Sequence, residues 1–388
     1  MFHIASSEEI KRGDVSDIYF LRTREILKKE NISKRVAVEF TAKLLPKGYT
    51  WGLFSGLEEA FEVLNEIKGI DVYAVREGTF FGANDPVMRI EGRYEDFGLY
   101  ETALLGLLCQ ASGVATKAAR CKIAALDKPL YSFGARRIHP AIAPMIERNA
   151  YLGGCDGVAC AKSAAILGLK AVGTIPHALV LLFGDTVKAT EAFDRVIDSD
   201  VNRIALIDTF NDEKFEALNV AEALKDKIFG IRLDTPASRR GNFIEILKEV
   251  KWELELRGFK DIKILVSGGI DEDKIKELNP YVDSYGVGTS ISNAPVLDFA
   301  MDIVEIDGQP IAKRGKLSGV KRLFRCSDCF SRTVEPLSVT SQKCSCGNDM
   351  EDILKPLIKD GKPALGLDDI AKSRDYVLSQ FNYFKEDL

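Results

Sequence analysis

The chain has no apolar run long enough to cross a bilayer. Its longest, such as residues 178–183, fall far short of the roughly 20 residues a spanning helix needs. The opening MFHIASSEEIKRGD has no apolar segment of the kind that directs secretion. The expectation is a cytoplasmic protein with no membrane partner. Histidine is scarce, with three in 388 residues, so imidazole chemistry is confined to His3, His139 and His177. Positive charge is not in excess: the net charge is −5, which argues against wholesale binding of nucleic acid. No GxGxxG follows an early strand-like run, so the dinucleotide crevice of an open Rossmann sheet is not expected. The eight cysteines do not read as a disulfide framework in a cytosolic chain of this length.

What is present reads as a globular chain, 46% hydrophobic and 29% charged, long enough for roughly two or three domains. Residues 1–116 read as an α+β lead domain. An amphipathic helix begins at SDIYFLRT, a half-buried strand covers 36–41, a helix stopped by Gly69 covers 56–68, and strands cover 70–76 and 87–91. Residues 96–126 turn to Ala, Leu and Gly, which predicts long buried helices at a domain junction or an oligomer contact. From 117 to 295 seven strand-like runs alternate with helices: 130–133, 157–159, 171–173, 205–208, 230–233, 264–266 and 285–287. Repeated βα units imply a parallel sheet, closed as a barrel or left open. Residues 296–323 and 353–388 read as return segments packing on the lead domain, with a hairpin at Asp307-Gly308 and a closing helix after 367.

The polar residues collect where these strands end, which is the catalytic face of such a barrel. SFGARRIH (132–139), GTIPH (173–177), Asp208-Thr209, RLDT (232–235), SGGID (267–271) and GVGT (286–289) all sit there. The last two end successive strands in glycines. Backbone can come close to a ligand at such turns, and helix-start amides attract anions, so Ser267, Gly268, Gly269, Gly288 and Thr289 are candidates to cradle a phosphate. Arg136 and Arg137 can hold a carboxylate bidentately, the alternative being ion pairs to Glu147 or Asp156. Arg232 and Asp234 alternate on one strand and face the same way, beside Asp208 on the strand before. Two carboxylates with one guanidinium can hold ribose hydroxyls or, through water, a magnesium ion on a pyrophosphate. The alternative is a structural ion pair, and burying such charges without a ligand is expensive.

Residues 324–352 carry Cys326-x2-Cys329 and, after fourteen intervening residues, Cys344-x-Cys346. Two close thiolate pairs on tight turns match a tetrahedral structural zinc site with no open position for catalysis. The preceding stretch, 313–325, has six positive charges in thirteen residues. It reads as a solvated face, as the flank of a polyphosphate site, or, with the zinc module, as a nucleic-acid binding ribbon.

Together DIYFLRT, SFGARR, GTIPHAL, LIDTFND, IRLDT, SGGID and GVGTSI, in this order from Asp17 to about Arg325, resemble the nicotinate phosphoribosyltransferases of the type II phosphoribosyltransferase family. The resemblance implies an α/β fold with an irregular seven-stranded (β/α) barrel and an α+β N-terminal domain; the small C-terminal zinc module, read from the cysteine spacing, is an addition that most relatives lack. The resemblance also implies an obligate homodimer or higher homo-oligomer, and transfer of phosphoribosyl from phosphoribosyl pyrophosphate to nicotinate with magnesium and, in many members, ATP hydrolysis. Carried over, Tyr19 stacks on the pyridine ring from the other subunit, Phe133 stacks from within, and Arg136 meets the substrate carboxylate. Arg137, His139, Thr174 and Thr209 join the substrate site. His177 falls where ATP-coupled relatives carry a phosphorylated histidine, although Pro176 replaces the small residue many of them have before it. Asp208, Arg232 and Asp234 match ribose and pyrophosphate contacts. Quinolinate and nicotinamide phosphoribosyltransferases are the neighbouring alternatives. A zinc-ribbon nucleic-acid binding protein with an inactive barrel is the alternative of another class, against which the Asp208, Arg232 and Asp234 set argues.

Overall fold

A computed structural model describes residues 2–364 and 366–385. It divides into two compact units, Met1–Thr116 with Pro295–Leu388, and Lys117–Ala294. Among the described residues no helix is long and apolar enough to cross a membrane.

The first unit is built on an antiparallel sheet in the order Gln309–Pro310, Phe299–Ile306, Arg35–Ala42, Pro86–Arg93, Asp71–Ala74, Lys355–Lys359 and Lys362–Pro363. Segments far apart in sequence thus share one ladder: Val38 pairs with Ile303, and Ile358 with Val72. The hairpin expected at Asp307-Gly308 forms, and both residues take positive φ (48° and 77°), as a two-residue turn between twisted strands requires. Strand Arg35–Ala42 corrects the half-buried reading. All but its first residue are buried, because Glu39 is 1% exposed and its carboxylate pairs with Lys321 at 2.9 Å. The small-residue stretch forms one helix, Glu101–Ala125, in place of several. Its small side chains let neighbouring backbone close in: Ser112 and Thr116 hydroxyls accept from Ser55 N (2.9 Å) and Leu53 N (2.8 Å). The closing helix runs Ile370–Phe384, capped by the Asp369 side chain.

Within this unit a four-stranded antiparallel ribbon carries the cysteines, in the order Arg332–Pro336, Lys321–Cys326, Asp349–Asp352 and Gln342–Lys343.

The second unit is a parallel sheet in the order Gly157–Val158, Leu130–Ser132, Ser284–Val287, Lys263–Ser267, Gly230–Leu233 and Ile204–Leu206. Helices between the strands are started by Asp185, Asp212 and Asp271, whose carboxylates accept from first-turn amides. The expected seventh strand is not in the ladder, and among the described residues the sheet has six strands and does not close. Residues 171–173 hold to their neighbour through one bond, Val172 N to Val158 O at 2.9 Å. Gly173 and Pro176 flank too short a run to continue the pairing, and proline has no N–H to offer.

Candidate active site

Three adjacent strands of the second unit deliver the central cluster, and it is built around one guanidinium. Arg232, on Gly230–Leu233, donates through Nε to Ser267 Oγ at 2.9 Å and through Nη1 to Thr174 Oγ1 at 2.9 Å, with Nη2 lying 3.3 Å from Asp234 Oδ1. Its flat face lies over the Phe133 ring, 5.4 Å from the centroid. The Phe133 ring is placed in turn by Tyr131, stacked behind it at 6.3 Å and 14°, and by Gly286. A Cβ on Gly286 would come within 2.4 Å of Phe133 Cδ2 and Cε2.

The carboxylates form the second half. Asp234 Oδ1 accepts from Ser267 Oγ at 2.6 Å, and Asp234 N donates to Asp208 Oδ2 at 3.0 Å. The other oxygen of Asp208 lies 3.2 Å from His177 Nε2. Burial pushes the Asp208 carboxyl above its ordinary value, His177 opposes that rise, and the neighbouring Asp234 adds to it. The Thr209 hydroxyl beside it is buried with no hydrogen-bond partner among the described residues, the kind of orphan a ligand satisfies.

Of this cluster Phe133, Arg232, Asp234 and Ser267 wall a cavity of about 290 Å³, which Asp208, His177, Thr174 and Thr209 do not line. Phe133, Arg136, Arg137 and Arg232 line one part, Asp234 with the 267–271 turn another, and Gly286 with the 288–290 turn the rest. Neither Arg136 nor Arg137 has an ion-pair partner among the described residues. Glu147 instead accepts from the amides of Ala159 and Cys160, and Asp156 pairs with Lys122. Three guanidiniums against Asp234 and Asp271 leave the cavity cationic. The helix that follows SGGI is no open anion site: Asp271 caps it, accepting from Lys274 N at 2.9 Å. An anion would instead meet the glycine turn itself, where Gly268 and Gly269 take positive φ (79° and 65°).

His139 and Tyr19 are also not among the residues that line this cavity. His139 is exposed, and its Nδ1 accepts from Ala141 N at 3.2 Å, capping the short helix Pro140–Ile142. Tyr19 belongs to the first unit, 56% exposed on helix Ile18–Lys29, its ring 4.3 Å from that of Phe20. Gly286, Ile270 and Asp271, inside the GVGT and SGGID motifs, and Ser290 after the second turn also line the cavity, though none is among the site residues expected from sequence. Gly286 was the findable one, since a glycine inside a strand marks a close approach. A larger cavity, about 460 Å³, lies in the first unit between Val75, Leu357 and Tyr376. Its Arg76 is already paired with Asp368 at 2.8 Å, and it gathers no comparable reactive set.

In the ribbon the four cysteine sulfurs lie within 4.8 Å of one another, with Cys326–Cys346 at 3.6 Å, Cys329–Cys344 at 3.3 Å and Cys329–Cys346 at 3.8 Å. Thiolates about 2.3 Å from a tetrahedral zinc stand about 3.8 Å apart, so the donor set fits that ion. Hydrogen bonds from Ser331 hold the Cys329 thiol down at about 6, ready to serve as thiolate.

The family models for the N-terminal and C-terminal domains of quinolinate phosphoribosyl transferase match residues 17–112 and 114–302. The crystal structure of nicotinate-nucleotide pyrophosphorylase from Pyrococcus furiosus is 53% identical, with a TM-score of 0.97 over 99% of this chain and 98% of that one. Nicotinate phosphoribosyltransferase pncB2 of Mycobacterium tuberculosis is 28% identical over 353 residues, 80% of this chain and 74% of the relative. The human nicotinic acid phosphoribosyltransferase structure, 18% identical, shares the fold with a TM-score of 0.72 over 95% of this chain and 94% of that one.

Proposed function

Because the chain belongs to the type II phosphoribosyltransferase family, we propose that it transfers the phosphoribosyl group of phosphoribosyl pyrophosphate to nicotinate. The products are nicotinate mononucleotide and pyrophosphate, a step in NAD biosynthesis. The observation that carries the reading is the cationic cavity in which Arg232 lies over Phe133 while Arg136 and Arg137 have no ion-pair partner among the described residues. The pyridine nitrogen forms a bond to the anomeric carbon as the bond from that carbon to pyrophosphate breaks, and the pair of electrons leaves with the pyrophosphate. Positive charge builds on the ribose ring in between. No nucleophile from the protein is required, so the work is positioning and charge stabilisation.

In this reading Phe133 stacks on the pyridine ring and Arg136 meets its carboxylate. Arg232 faces the leaving group, Asp208 and Asp234 hold the ribose, and Gly268, Gly269, Gly288 and Thr289 cradle phosphate. Tyr19 closes the ring from a second copy of the chain. Magnesium would supply charge neutralisation at the pyrophosphate. Among the described residues Asp234 Oδ2 is the carboxylate oxygen not engaged by this cluster, which fits contact through water better than a direct cage. His177 would take a phosphoryl group from ATP on Nδ1, its Nε2 being turned to Asp208. Zinc in the cysteine ribbon would be structural.

A second reading keeps quinolinate as substrate, because Arg137 offers a cation for a second carboxylate beside Arg136. The deciding experiment measures pyrophosphate release from phosphoribosyl pyrophosphate and magnesium with nicotinate, nicotinamide or quinolinate supplied separately, with and without ATP. Release with nicotinate is expected, stimulated by ATP. Release with quinolinate accompanied by carbon dioxide would replace the proposal, and release with nicotinamide alone would change the base.

A further inference from the structure

We infer that Ser267 and Thr174 are positioning residues that lock the plane of the Arg232 guanidinium, so that Arg232 is set for a diphosphate before the diphosphate arrives. The inference rests on the reading of Arg232 as the pyrophosphate contact and assigns Ser267 a role other than phosphate donor. A serine hydroxyl has one proton to give, and that of Ser267 goes to Asp234 Oδ1 at 2.6 Å while its oxygen accepts from Arg232 Nε at 2.9 Å. The side chain is 2% exposed, wedged between the two ions it bridges.

Thr174 completes the clamp from the opposite edge. It lies in the segment that failed to become a strand, and its Oγ1 accepts from Arg232 Nη1 at 2.9 Å. Two neutral oxygens and one carboxylate therefore fix three of the guanidinium nitrogens, and the Phe133 ring fixes its face. The choice of hydroxyls has a consequence. A carboxylate at either position would add to the Asp234 charge already beside Arg232, whereas a hydroxyl orients the cation without cancelling more of its charge. A guanidinium has five N–H donors in a fixed fork; the clamp hydrogen-bonds one on Nε and one on Nη1, while Nη2 lies 3.3 Å from Asp234 Oδ1, so donors remain on Nη1 and Nη2. Those two suit bidentate contact with a phosphoryl oxygen pair. The absence of a strand at 171–173 has a use in this light, because backbone outside the ladder can carry Thr174 to the guanidinium.

The test is calorimetric binding of inorganic pyrophosphate with magnesium to the full chain, which needs no knowledge of the base. Ser267→Ala and Thr174→Val are each expected to weaken binding roughly tenfold, the effect of one hydrogen bond to a charged group. Thr174→Ser keeps the hydroxyl and is expected to bind like the parent. In an Arg232→Ala background, Ser267→Ala and Thr174→Val should cost nothing further. Loss that persists without Arg232 would overturn the clamp and show that the hydroxyls act elsewhere, as would full affinity in both single variants. A parent chain that binds no pyrophosphate at all would instead overturn the underlying reading of Arg232. Thr174→Val alters a partly exposed loop, so the proposal stays testable if the buried Ser267 variant fails to fold.

Discussion

Gly286 shows how one missing side chain shapes the site. With no Cβ there, the Phe133 ring lies flat against the strand and under Arg232. Gly286→Ala is expected to tilt that ring and lower kcat/KM at least tenfold, by loss of alignment between two bound reactants, while the circular dichroism spectrum stays near the parent's. Asp208 makes the opposite bargain between stability and function. Burial raises its carboxyl above 3.8, so the folded chain holds that proton more tightly than the unfolded one. The contribution to stability is then greatest below 3.8 and is lost as pH rises through the higher folded value. At neutral pH the ionised group is a cost, so Asp208→Asn is expected to raise the melting temperature by a few degrees and to lower turnover. A lower melting temperature would show that the charge stabilises the site. Asp234→Ala should cut turnover by orders of magnitude, since it removes the proposed ribose contact and one wall of the Arg232 clamp together.

At the scale of elements, the cysteine ribbon and the closing helix act on each other. Phe330, with φ at 58°, turns out of the first cysteine knuckle and sets its ring 4.4 Å from Tyr383. One residue on, Phe384 stacks on Phe80 at 4.3 Å and 10°, and lies edge-on to Trp51 at 6.1 Å. A metal that fixes the knuckle thus fixes Phe330 against the helix. About one zinc per chain is expected by elemental analysis. Chelation should expose helix Ile370–Phe384 to protease while leaving pyrophosphate binding by the parallel sheet in place. An unchanged cleavage pattern after verified metal loss would show that the helix holds without the ribbon. Phe384→Ala, 6% exposed in the parent, should cost about 3 kcal/mol of unfolding free energy for the same reason.

For the whole molecule, the charge pattern separates affinity for small anions from affinity for polyanions. The chain carries −5 overall, yet one cavity gathers Arg136, Arg137 and Arg232. A small phosphorylated ligand can reach that cavity, whereas a long nucleic acid would meet a chain that is negative overall. Binding of phosphoribosyl pyrophosphate is therefore expected to weaken as salt is raised, because Arg136 and Arg137 are exposed and screened. Binding that is indifferent to salt would place the recognition on Arg232 and the glycine turns alone.

The sequence by itself determined the βα rhythm, the strand ends that carry chemistry, the paired cysteines and the Asp307-Gly308 turn. Each is a local matter of hydrophobic period, turn residue or ligand spacing, and RLDT, SGGID and GVGT could be assigned from a few neighbouring residues. Tertiary structure alone decided the rest. Residues 171–173 look like a strand, but their place depends on a partner edge that local pattern does not encode. His139 lies in a strand-end motif, and only the folded chain shows its ring capping Pro140–Ile142. The Arg232 clamp joins residues from three separate segments, 174, 232 with 234, and 267. No spacing in the chain announces it, because hydrogen bonds between strand ends are set by the register of the sheet, and register becomes visible only once the strands have paired.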